Sequence, residues 1–318
     1  MASHTSSILR QAAELSGETD RWALATLVQV TGSALRRPGA RMLISDDGRL
    51  RGCLSGGCLE PEIARRASEV IATGRAALLE FDTRRHYGCD GTIVILIEPF
   101  PAALIEAGRL AAARKSFQLA TPLQASSSLP TRILCEGESG ADCFVESVDP
   151  PIRLLVAGAG TDALPLARLA TALGWDFTYL LAHDDVPPDP QADLLRGEPG
   201  QSEIEIDART AVIVMTHKFG RDVAWLTQFL AAAPPYLGLL GSRRRGSSIL
   251  NELVSQSPDL IDVLDAVRTP IGLDLGGENP EDIALSICSE VQAALAGREA
   301  RPLSEGSAPI HGRTEVPA

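Results

Sequence analysis

The sequence predicts an α/β protein with two domains, an N-terminal α+β domain followed by a doubly wound domain built on a parallel sheet. Its 318 residues exceed the roughly 250–300 residues at which a single hydrophobic core stops growing. Apolar runs up to position 120 include a hairpin signal, whereas those after position 152 alternate with helical stretches. Regular alternation of strand and helix is typical of a parallel sheet.

The N-terminal domain, residues 1–120, is predicted from the spacing of its apolar residues. In chain order we predict a surface helix (8–15), a buried strand (22–30), two hairpin strands (41–44 and 51–54), a helix (59–72), two strands (77–81 and 92–97) and a helix (101–115). Asp47 and Gly48 between two apolar runs indicate the hairpin, and Gly74 marks the end of the second helix. This mixture predicts an α+β domain.

The periodic pattern weakens between residues 121 and 151. Three consecutive serines stand at 126–128, and the apolar run at 143–148 predicts at most an isolated strand. Pro150 and Pro151 bar a continuous helix or a central strand. We therefore treat 121–151 as a connector, 152–300 as the second domain, and the Gly-, Ser- and Pro-rich residues 301–318 as a disordered tail.

The second domain opens with strand, glycine turn, helix and strand. Gly158 and Gly160 stand between the first strand and the helix, so the backbone can turn tightly and approach a phosphate at the helix amino terminus. Asn279 before Pro280 predicts the cap of the last helix. The pattern predicts a Rossmann-like domain. Ala182 stands where an acid would usually bind a ribose, which leaves Asp184 as its replacement and the binding of a nucleotide open.

Composition limits the partners and the compartment. A net charge of −12 and an aromatic content of 4% argue against nucleic acid, which binds basic and aromatic surfaces. The amino terminus lacks a signal-peptide pattern, and no run approaches the roughly 18 apolar residues of a membrane span. We expect a cytoplasmic protein whose six cysteines are free thiols, without a structural zinc site.

Two cysteines, Cys58 and Cys89, have glycines close to them in the sequence. Cys58 follows the Ser-Gly-Gly turn of GCLSGGCLE (52–60) and is expected at the start of a helix, where the macrodipole favours a thiolate. Such a thiolate could bind a metal, take up sulfur or attack an electrophile. Cys89 lies in the loop YGCDG (87–91). Burial as a small apolar side chain is the alternative for both, and it is the prediction for Cys53.

Two further segments are candidates for ligand binding. Ser242, Arg243 and Arg244 are expected to form a turn and the first turn of a helix, a position that is unfavourable for arginine unless an anion binds there. A solvated surface is the alternative. Asp274 lies between two glycines before the last helix, at the carboxyl edge of the sheet where ligands of open α/β folds gather. An ordinary tight turn explains Asp274 equally well.

Four stretches, in this order, resemble the XdhC/CoxI family: GSALRRPGARM, GCLSGGCLE, YLGLLGSRRR and TPIGLDLGGENPEDIALSI. VAGAGTDALPLARLA and VIVMTHKFGRD are similar to the Rossmann half of that family. The resemblance implies an accessory protein that binds the molybdenum cofactor (molybdopterin), helps it to acquire its terminal sulfur and passes it to an apo-molybdenum hydroxylase such as xanthine dehydrogenase. It also implies a homodimer and a cysteine desulfurase as a further partner.

The resemblance also assigns roles to single residues. Cys58 and Cys89 match the family's cysteine positions and become the candidate contacts to molybdenum or sulfur. The candidate cofactor-binding residues are Gly158, Gly160, Ser242, Arg243, Arg244 and Asp274. Two alternatives stay open: an NAD(P)-dependent oxidoreductase with His217 as its acid or base, and a nucleotide-sensing regulatory module.

Overall fold

A computed structural model describes residues 2–15, 17, 19–32, 36–57, 59–82, 91–201 and 203–306. The chain divides into two compact units, the first extending to Pro151 and the second beginning at Ile152. Cys58 and Cys89 lie outside the described residues. No helix in the described ranges is long and apolar enough to cross a bilayer.

Unit 1 contains a five-stranded antiparallel sheet with helices on both faces. Its elements are α1 (Ala2–Ala13), β1 (Trp22–Gly32), β2 (Arg41–Ser45), β3 (Leu50–Gly52), α2 (Glu60–Thr73), β4 (Ala77–Asp82), β5 (Gly91–Pro99) and α3 (Ala103–Ala112). The strand order is β3-β2-β1-β5-β4, and every neighbouring pair is antiparallel. The predicted hairpin, strands and second helix of this unit are confirmed, although α1 begins at Ala2 instead of residue 8 and β3 ends at Gly52 instead of residue 54.

Strand β1 is buried on both faces, because alternate side chains of a strand point to opposite sides of the sheet. Ala25 and Leu27 pack in the cluster that includes Ile63 of α2. Leu24 packs in a second cluster, together with Leu104 of α3 and residues of α1. The sheet therefore forms the middle layer of unit 1.

Residues 121–151 do not behave as a connector with one isolated strand, and this prediction is wrong. They contribute to a second sheet of three antiparallel strands, β6 (Phe117–Pro122), β7 (Arg132–Leu134) and β8 (Cys143–Val148), in the order β7-β6-β8. The strands are short and partly polar, so they give only a weak alternating pattern.

Buried polar contacts attach this small sheet to the large one. Arg41, fully buried in β2, forms an ion pair with Glu146 of β8 and donates to the Thr121 hydroxyl of β6 at 3.2 Å. Glu98 of β5 accepts hydrogen bonds from the N–H and the hydroxyl of Thr131 at 2.9 and 2.5 Å. Polar side chains that suggest a loop in the sequence are thus interior contacts of unit 1.

Unit 2 is a doubly wound parallel sheet, as predicted. Its elements are β9 (Arg153–Ala157), α4 (Ala163–Ala172), β10 (Asp176–Leu181), β11 (Asp193–Arg196), β12 (Thr210–Val214), α5 (Phe219–Ala232), β13 (Tyr236–Leu239), α6 (Arg243–Gln256), β14 (Val267–Arg268) and α7 (Pro280–Leu295). The strand order is β11-β10-β9-β12-β13-β14, with all neighbours parallel. The strands that follow β9 in the chain, β10 and β11, lie on one side of it. The later strands β12, β13 and β14 lie on the other side.

The direction of strand order therefore reverses between β9 and β12. Crevices at the carboxyl ends of strands at such a switch point are the usual ligand sites of open α/β sheets. Helices α4 and α7 contribute to the core on one face of the sheet, and α5 and α6 to the core on the other. In the segment predicted as a disordered tail, Leu303–Glu305 form one 3-10 turn, while residues 307–318 lie outside the described residues.

Candidate functional site

The loop that enters α2 is held by one carboxylate. Glu60, 9% exposed, accepts a hydrogen bond from the Ser55 N–H at 2.9 Å and another from the Ser55 hydroxyl at 2.5 Å. It also accepts from the Leu59 N–H at 3.1 Å. The Ser55 hydroxyl in turn accepts from the N–H groups of Gly57 at 3.2 Å and Leu59 at 3.3 Å. The described residues on both sides of position 58 are thus tied to Glu60 and Ser55.

Glu60 is ionised at neutral pH. Burial by itself would raise the pKa of this carboxyl group, but the hydrogen bonds from the Ser55 hydroxyl, from backbone N–H groups and from the Cys53 thiol outweigh burial and lower the pKa to about 2. A negative charge in the first turn of α2 also interacts favourably with the helix dipole.

Cys53 belongs to the same polar loop, and the prediction that it packs as an apolar residue of a strand is wrong. Strand β3 ends at Gly52, whose φ of +95° turns the chain. The half-buried thiol of Cys53 donates to the carbonyl oxygen of Ser55 and to the Glu60 carboxylate, the latter at 3.4 Å. The alternation of side chains that predicted packing stops one residue earlier.

The other thiols have different surroundings. Cys288 is buried in the core of unit 2, and burial raises its pKa to about 12. Cys135 is exposed and Cys143 is half-buried. Across the residues that the structure describes, no group of three or more His, Cys, Asp or Glu side chains is arranged to hold a metal ion. The roles of Cys58 and Cys89 stay predictions.

In unit 2 the two glycines of the turn after β9 allow this turn to lie close to the loop after β12. Gly158 has φ +134°, and a Cβ atom there would overlap the carbonyl oxygen of Met215. A Cβ atom on Gly160 would lie 3.1 Å from Nε2 of His217. The turn therefore lies directly against the loop that follows β12, at the switch point of the sheet.

A buried ion pair fixes the loop after β12. Asp222 of α5 is fully buried and accepts from the N–H and hydroxyl of Thr216 at 3.0 and 2.6 Å. Its second oxygen pairs with Arg245 of α6. Between these anchors and the glycine turn, His217 is exposed and has a left-handed φ of +60°. The sequence pointed to His217, whereas Thr216, Asp222 and Arg245 were missed.

Ser242, Arg243 and Arg244 lie where the sequence predicts them. Ser242 caps α6 by accepting from the Arg245 N–H at 3.3 Å, and Arg243 and Arg244 are exposed in the first turn. Of the three consecutive arginines, only Arg245 points to the buried carboxylate of Asp222. The remaining two cations are therefore available to an anion in solution at the carboxyl edge of the sheet.

The loop after β10 has no acid at the expected ribose position. Arg196 instead donates to the carbonyl oxygens of Ala182 at 2.6 Å, His183 at 3.2 Å and Asp185. The carboxylate of Asp185 pairs with Arg221 at 3.1 Å, whereas Asp184 is exposed. This end of the crevice is consequently organised by arginine.

Asp274 lies on an anchored loop after β14. Gly272 has φ +103°, and its N–H donates to the Glu290 carboxylate of α7 at 2.6 Å. The Tyr236 hydroxyl donates to the same oxygen at 2.7 Å. Asp274 itself is exposed, so the loop holds it at the surface of unit 2. Asn279 caps α7 as predicted, accepting from the Asp282 N–H at 2.8 Å.

Two family models match this chain. Residues 154–291 match the XdhC Rossmann domain, and residues 16–82 match the XdhC and CoxI family. The chain belongs to the XdhC and CoxI family. The first match contains the glycine turn, the Asp222–Arg245 pair and the loop of Asp274. The second contains the loop held by Glu60.

Relatives are similar to this XdhC and CoxI protein along most of its length. A protein of Bacillus subtilis (strain 168), named as a probable xanthine dehydrogenase subunit, is 28% identical over 84% of this chain and 91% of its own. The molybdenum cofactor insertion chaperone PaoD of Escherichia coli (strain K12) is 29% identical over 92% of this chain and 89% of its own. A crystal structure of a xanthine dehydrogenase from Bacillus halodurans superimposes with a TM-score of 0.75 at 25% identity, covering 93% of this chain and 98% of that one.

Within unit 2 the structure brings together the predicted residues that follow adjacent strands. Gly158 and Gly160 follow β9, His217 follows β12, and Ser242 with its two exposed arginines follows β13. All lie at the carboxyl edge of the sheet. The signal that could have revealed Asp222 was its place as an acid in the first turn of a helix directly after a buried strand.

Proposed function

We propose that this protein is an accessory protein that binds the molybdenum cofactor, assists its sulfuration and inserts it into an apo-molybdenum hydroxylase such as xanthine dehydrogenase. The observation that carries the proposal is the similarity to a molybdenum cofactor insertion chaperone over 92% of this chain and 89% of that relative. Likeness over both lengths favours a shared role of the whole protein over one shared domain. The cofactor is then cargo, and no turnover chemistry is required.

The loop of Glu60 supports a contact between the cargo and unit 1. Gly56 and Gly57 are exposed beside position 58, and space is open around the position of a Cβ atom on Gly57. A ligand can therefore approach this loop without displacing side chains. Cys58 supplies a thiolate that binds the metal or accepts sulfur, and Cys89 is the second candidate contact.

The exposed arginines of α6 support a contact to the anionic part of the cargo. Arginine guanidinium groups bind phosphate through paired hydrogen bonds, and the amino terminus of a helix adds N–H donors. We assign Arg243, Arg244 and the turn of Gly158 and Gly160 to the phosphate of the pterin or to an attached nucleotide, with Asp274 at the same edge. We further propose a cytoplasmic homodimer that receives sulfur from a cysteine desulfurase.

Retention of released cofactor tests the proposal. Purified protein is mixed with molybdenum cofactor released from a molybdenum hydroxylase and passed through gel filtration, and molybdenum and pterin are measured in the protein fraction. We expect stoichiometric retention by the wild type and a loss of at least about tenfold for Cys58→Ser/Cys89→Ser. Cys135→Ser, which alters an exposed thiol, is the matched control. Equal retention by wild type and double variant would overturn the role of the thiols.

A nicotinamide-dependent oxidoreductase is a second candidate because His217 lies against Gly160 at the switch point of the sheet. In an oxidoreductase, His217 would serve as the acid or base near the transferred hydride. Calorimetric titration with NAD⁺ and NADP⁺ separates the two functions. We expect no binding of either, since Arg196 occupies the carbonyl groups of the loop that would hold the ribose. Binding of either dinucleotide in the micromolar range would favour the oxidoreductase.

A further inference from the structure

We propose that Asp222 is a positioning residue, which holds the loop 216–218 and the first turn of α6 in the arrangement that binds the anionic part of the cargo. This inference rests on the proposed function, because that function assigns the exposed arginines of α6 to a phosphate. It gives a role to an acid for which the sequence alone predicted none. Three features support this role: the contacts of Asp222 to two loops, its burial, and the exposed groups that these loops carry.

Asp222 is bonded to both ends of the loop 216–218. One carboxylate oxygen accepts from the Thr216 N–H at 3.0 Å and from the Thr216 hydroxyl at 2.6 Å. The Asp222 N–H donates to the carbonyl oxygen of Lys218 at 2.9 Å, and the Lys218 N–H donates to the Thr216 hydroxyl at 3.1 Å. His217, between these anchors, is exposed and has a left-handed φ of +60°, which is uncommon for a residue with a side chain. The contacts of Asp222 therefore hold His217 in this conformation.

The second carboxylate oxygen of Asp222 reaches α6. It forms an ion pair with Arg245, whose side chain packs so closely on Gly241 that a Cβ atom there would lie 3.1 Å from Cδ of Arg245. Arg243 and Arg244, which precede Arg245 in the same turn, are exposed. Asp222 thus contacts the segments that follow two neighbouring strands, β12 and β13. It fixes the loop of His217 relative to the turn that carries the two exposed arginines.

Stability alone does not require a buried charge at this position. Asp222 is fully buried, and an apolar pair of similar volume is often at least as stable as a buried ion pair, because burying charges costs free energy. Apolar contacts are non-directional, whereas the hydrogen bonds of Asp222 have defined distances and directions. They provide what a ligand site requires, a fixed spacing between groups on two different loops.

The affinity of the full chain for inorganic pyrophosphate tests the positioning role. Asp222→Asn places an NH₂ group against either Arg245 or Thr216, whichever way the amide is turned, and Thr216→Val removes only the hydroxyl contacts. Asp207→Asn is the matched control, because Asp207 also accepts from a threonine hydroxyl, that of Thr210 at 2.8 Å, but precedes β12 at the opposite edge of the sheet. Dissociation constants are measured by calorimetry at constant pH and ionic strength, at a temperature at which thermal unfolding shows every variant to be folded.

We expect the wild type to bind pyrophosphate, and the dissociation constant to rise at least about fivefold in Asp222→Asn and about threefold in Thr216→Val, because the groups on the two loops lose their fixed spacing. Asp207→Asn should bind as the wild type does. The direction of the change is diagnostic. Loss of a negative charge and release of the Arg245 guanidinium would by themselves strengthen the binding of an anion, so weaker binding reports a changed arrangement.

Unchanged or tighter binding by Asp222→Asn, or no binding by the wild type, would overturn the inference. The pyrophosphate titration needs neither the cofactor nor the thiols of unit 1. Its outcome is therefore separate from that of the retention experiment: if released cofactor is not retained but Asp222→Asn weakens pyrophosphate binding, the proposed cargo is wrong and the positioning role stands.

Discussion

Gly158 and Gly160 differ in what an added side chain would meet. At Gly158 it would collide with the backbone of Met215, and φ is +134°. At Gly160 it would meet only the ring edge of His217, an exposed side chain that can move. Both residues belong to the same turn, but only the first is required by the rigid backbone.

Alanine substitutions should therefore have unequal effects on stability. We expect Gly158→Ala to lower the free energy of unfolding of unit 2 by about 2 kcal/mol or more, since backbone strain and overpacking act together. Gly160→Ala should cost less than about 1 kcal/mol. Urea unfolding followed by circular dichroism measures both. Equal losses would mean that the His217 ring is as fixed as the Met215 backbone.

The buried pair of Asp222 and Arg245 gives a second prediction. Asp222→Asn keeps an acceptor for Thr216 but leaves Arg245 without its buried counter-charge. Because the Arg245 side chain is 24% exposed, we expect a loss of about 2 kcal/mol, below the range for fully buried pairs. Asp185→Asn, which breaks the more exposed pair with Arg221, should cost less than about 1 kcal/mol. Chemical denaturation distinguishes the two, and similar losses would contradict the assigned burial.

At the scale of elements, the buried contact between the two sheets of unit 1 predicts that folding stability depends on pH. Glu98 is 3% exposed, and burial raises its pKa above the usual 4.5 although Thr131 and the charge of Arg41 act in the opposite direction. The folded state therefore favours the protonated form. Above about pH 4.5 ionisation of the Glu98 carboxyl group stabilises the unfolded chain. The stability that this group contributes to the folded state therefore falls until the pH passes its raised pKa in the folded state.

Glu98→Gln isolates this contribution because glutamine does not titrate. The free energy of unfolding of the wild type minus that of the variant should decrease as the pH rises from about 4.5 towards neutral. Glu106→Gln, at an exposed position of α3, controls for the change in net charge and should give a nearly flat difference. A difference that grows with pH would show that Glu98 is stabilised as the anion. Urea titrations at each pH provide the values.

Elements with strong local signals could be predicted from the sequence. The hairpin of β2 and β3, the end of α2 at Gly74 and the cap at Asn279 each depend on residues close in the chain. The sheet of β6, β7 and β8 could not, because its strands are short and its burial relies on distant polar partners such as Arg41 with Glu146. The surroundings of Cys53 were predicted wrongly for a related reason, since its hydrogen-bond partners Ser55 and Glu60 lie beyond a turn of the chain.

The sequence predicts those parts of the candidate site that belong to recognisable motifs. Glycines 158 and 160 and the arginines of α6 lie at one edge of the sheet, as the strand and helix pattern indicates. The ion pair of Asp222 was not predicted because its partner Arg245 is 23 residues away, and a single sequence does not reveal such pairs. The contacts assigned to Cys58 and Cys89 remain predictions.

For the whole molecule, the two units have separate hydrophobic cores. The clusters of unit 2 contain residues only from Ile152 onwards, and those of unit 1 contain residues only up to Val148. We therefore expect a fragment beginning at Ile152 to fold and unfold in one cooperative transition. Calorimetry should give this transition at the temperature of a component in the full chain. A fragment without cooperative unfolding would show that unit 2 depends on unit 1.

The switch between β9 and β12 also determines where the protein tolerates added length. Every connection that leaves a strand of unit 2 at its carboxyl end starts at the edge of the sheet that contains the crevice, whereas the returning helices end at the opposite edge. The short turn between α4 and β10, with Gly174 at φ +73°, lies at that opposite edge. We expect a fluorescent label or an inserted peptide placed there to be tolerated, because it lies away from the crevice.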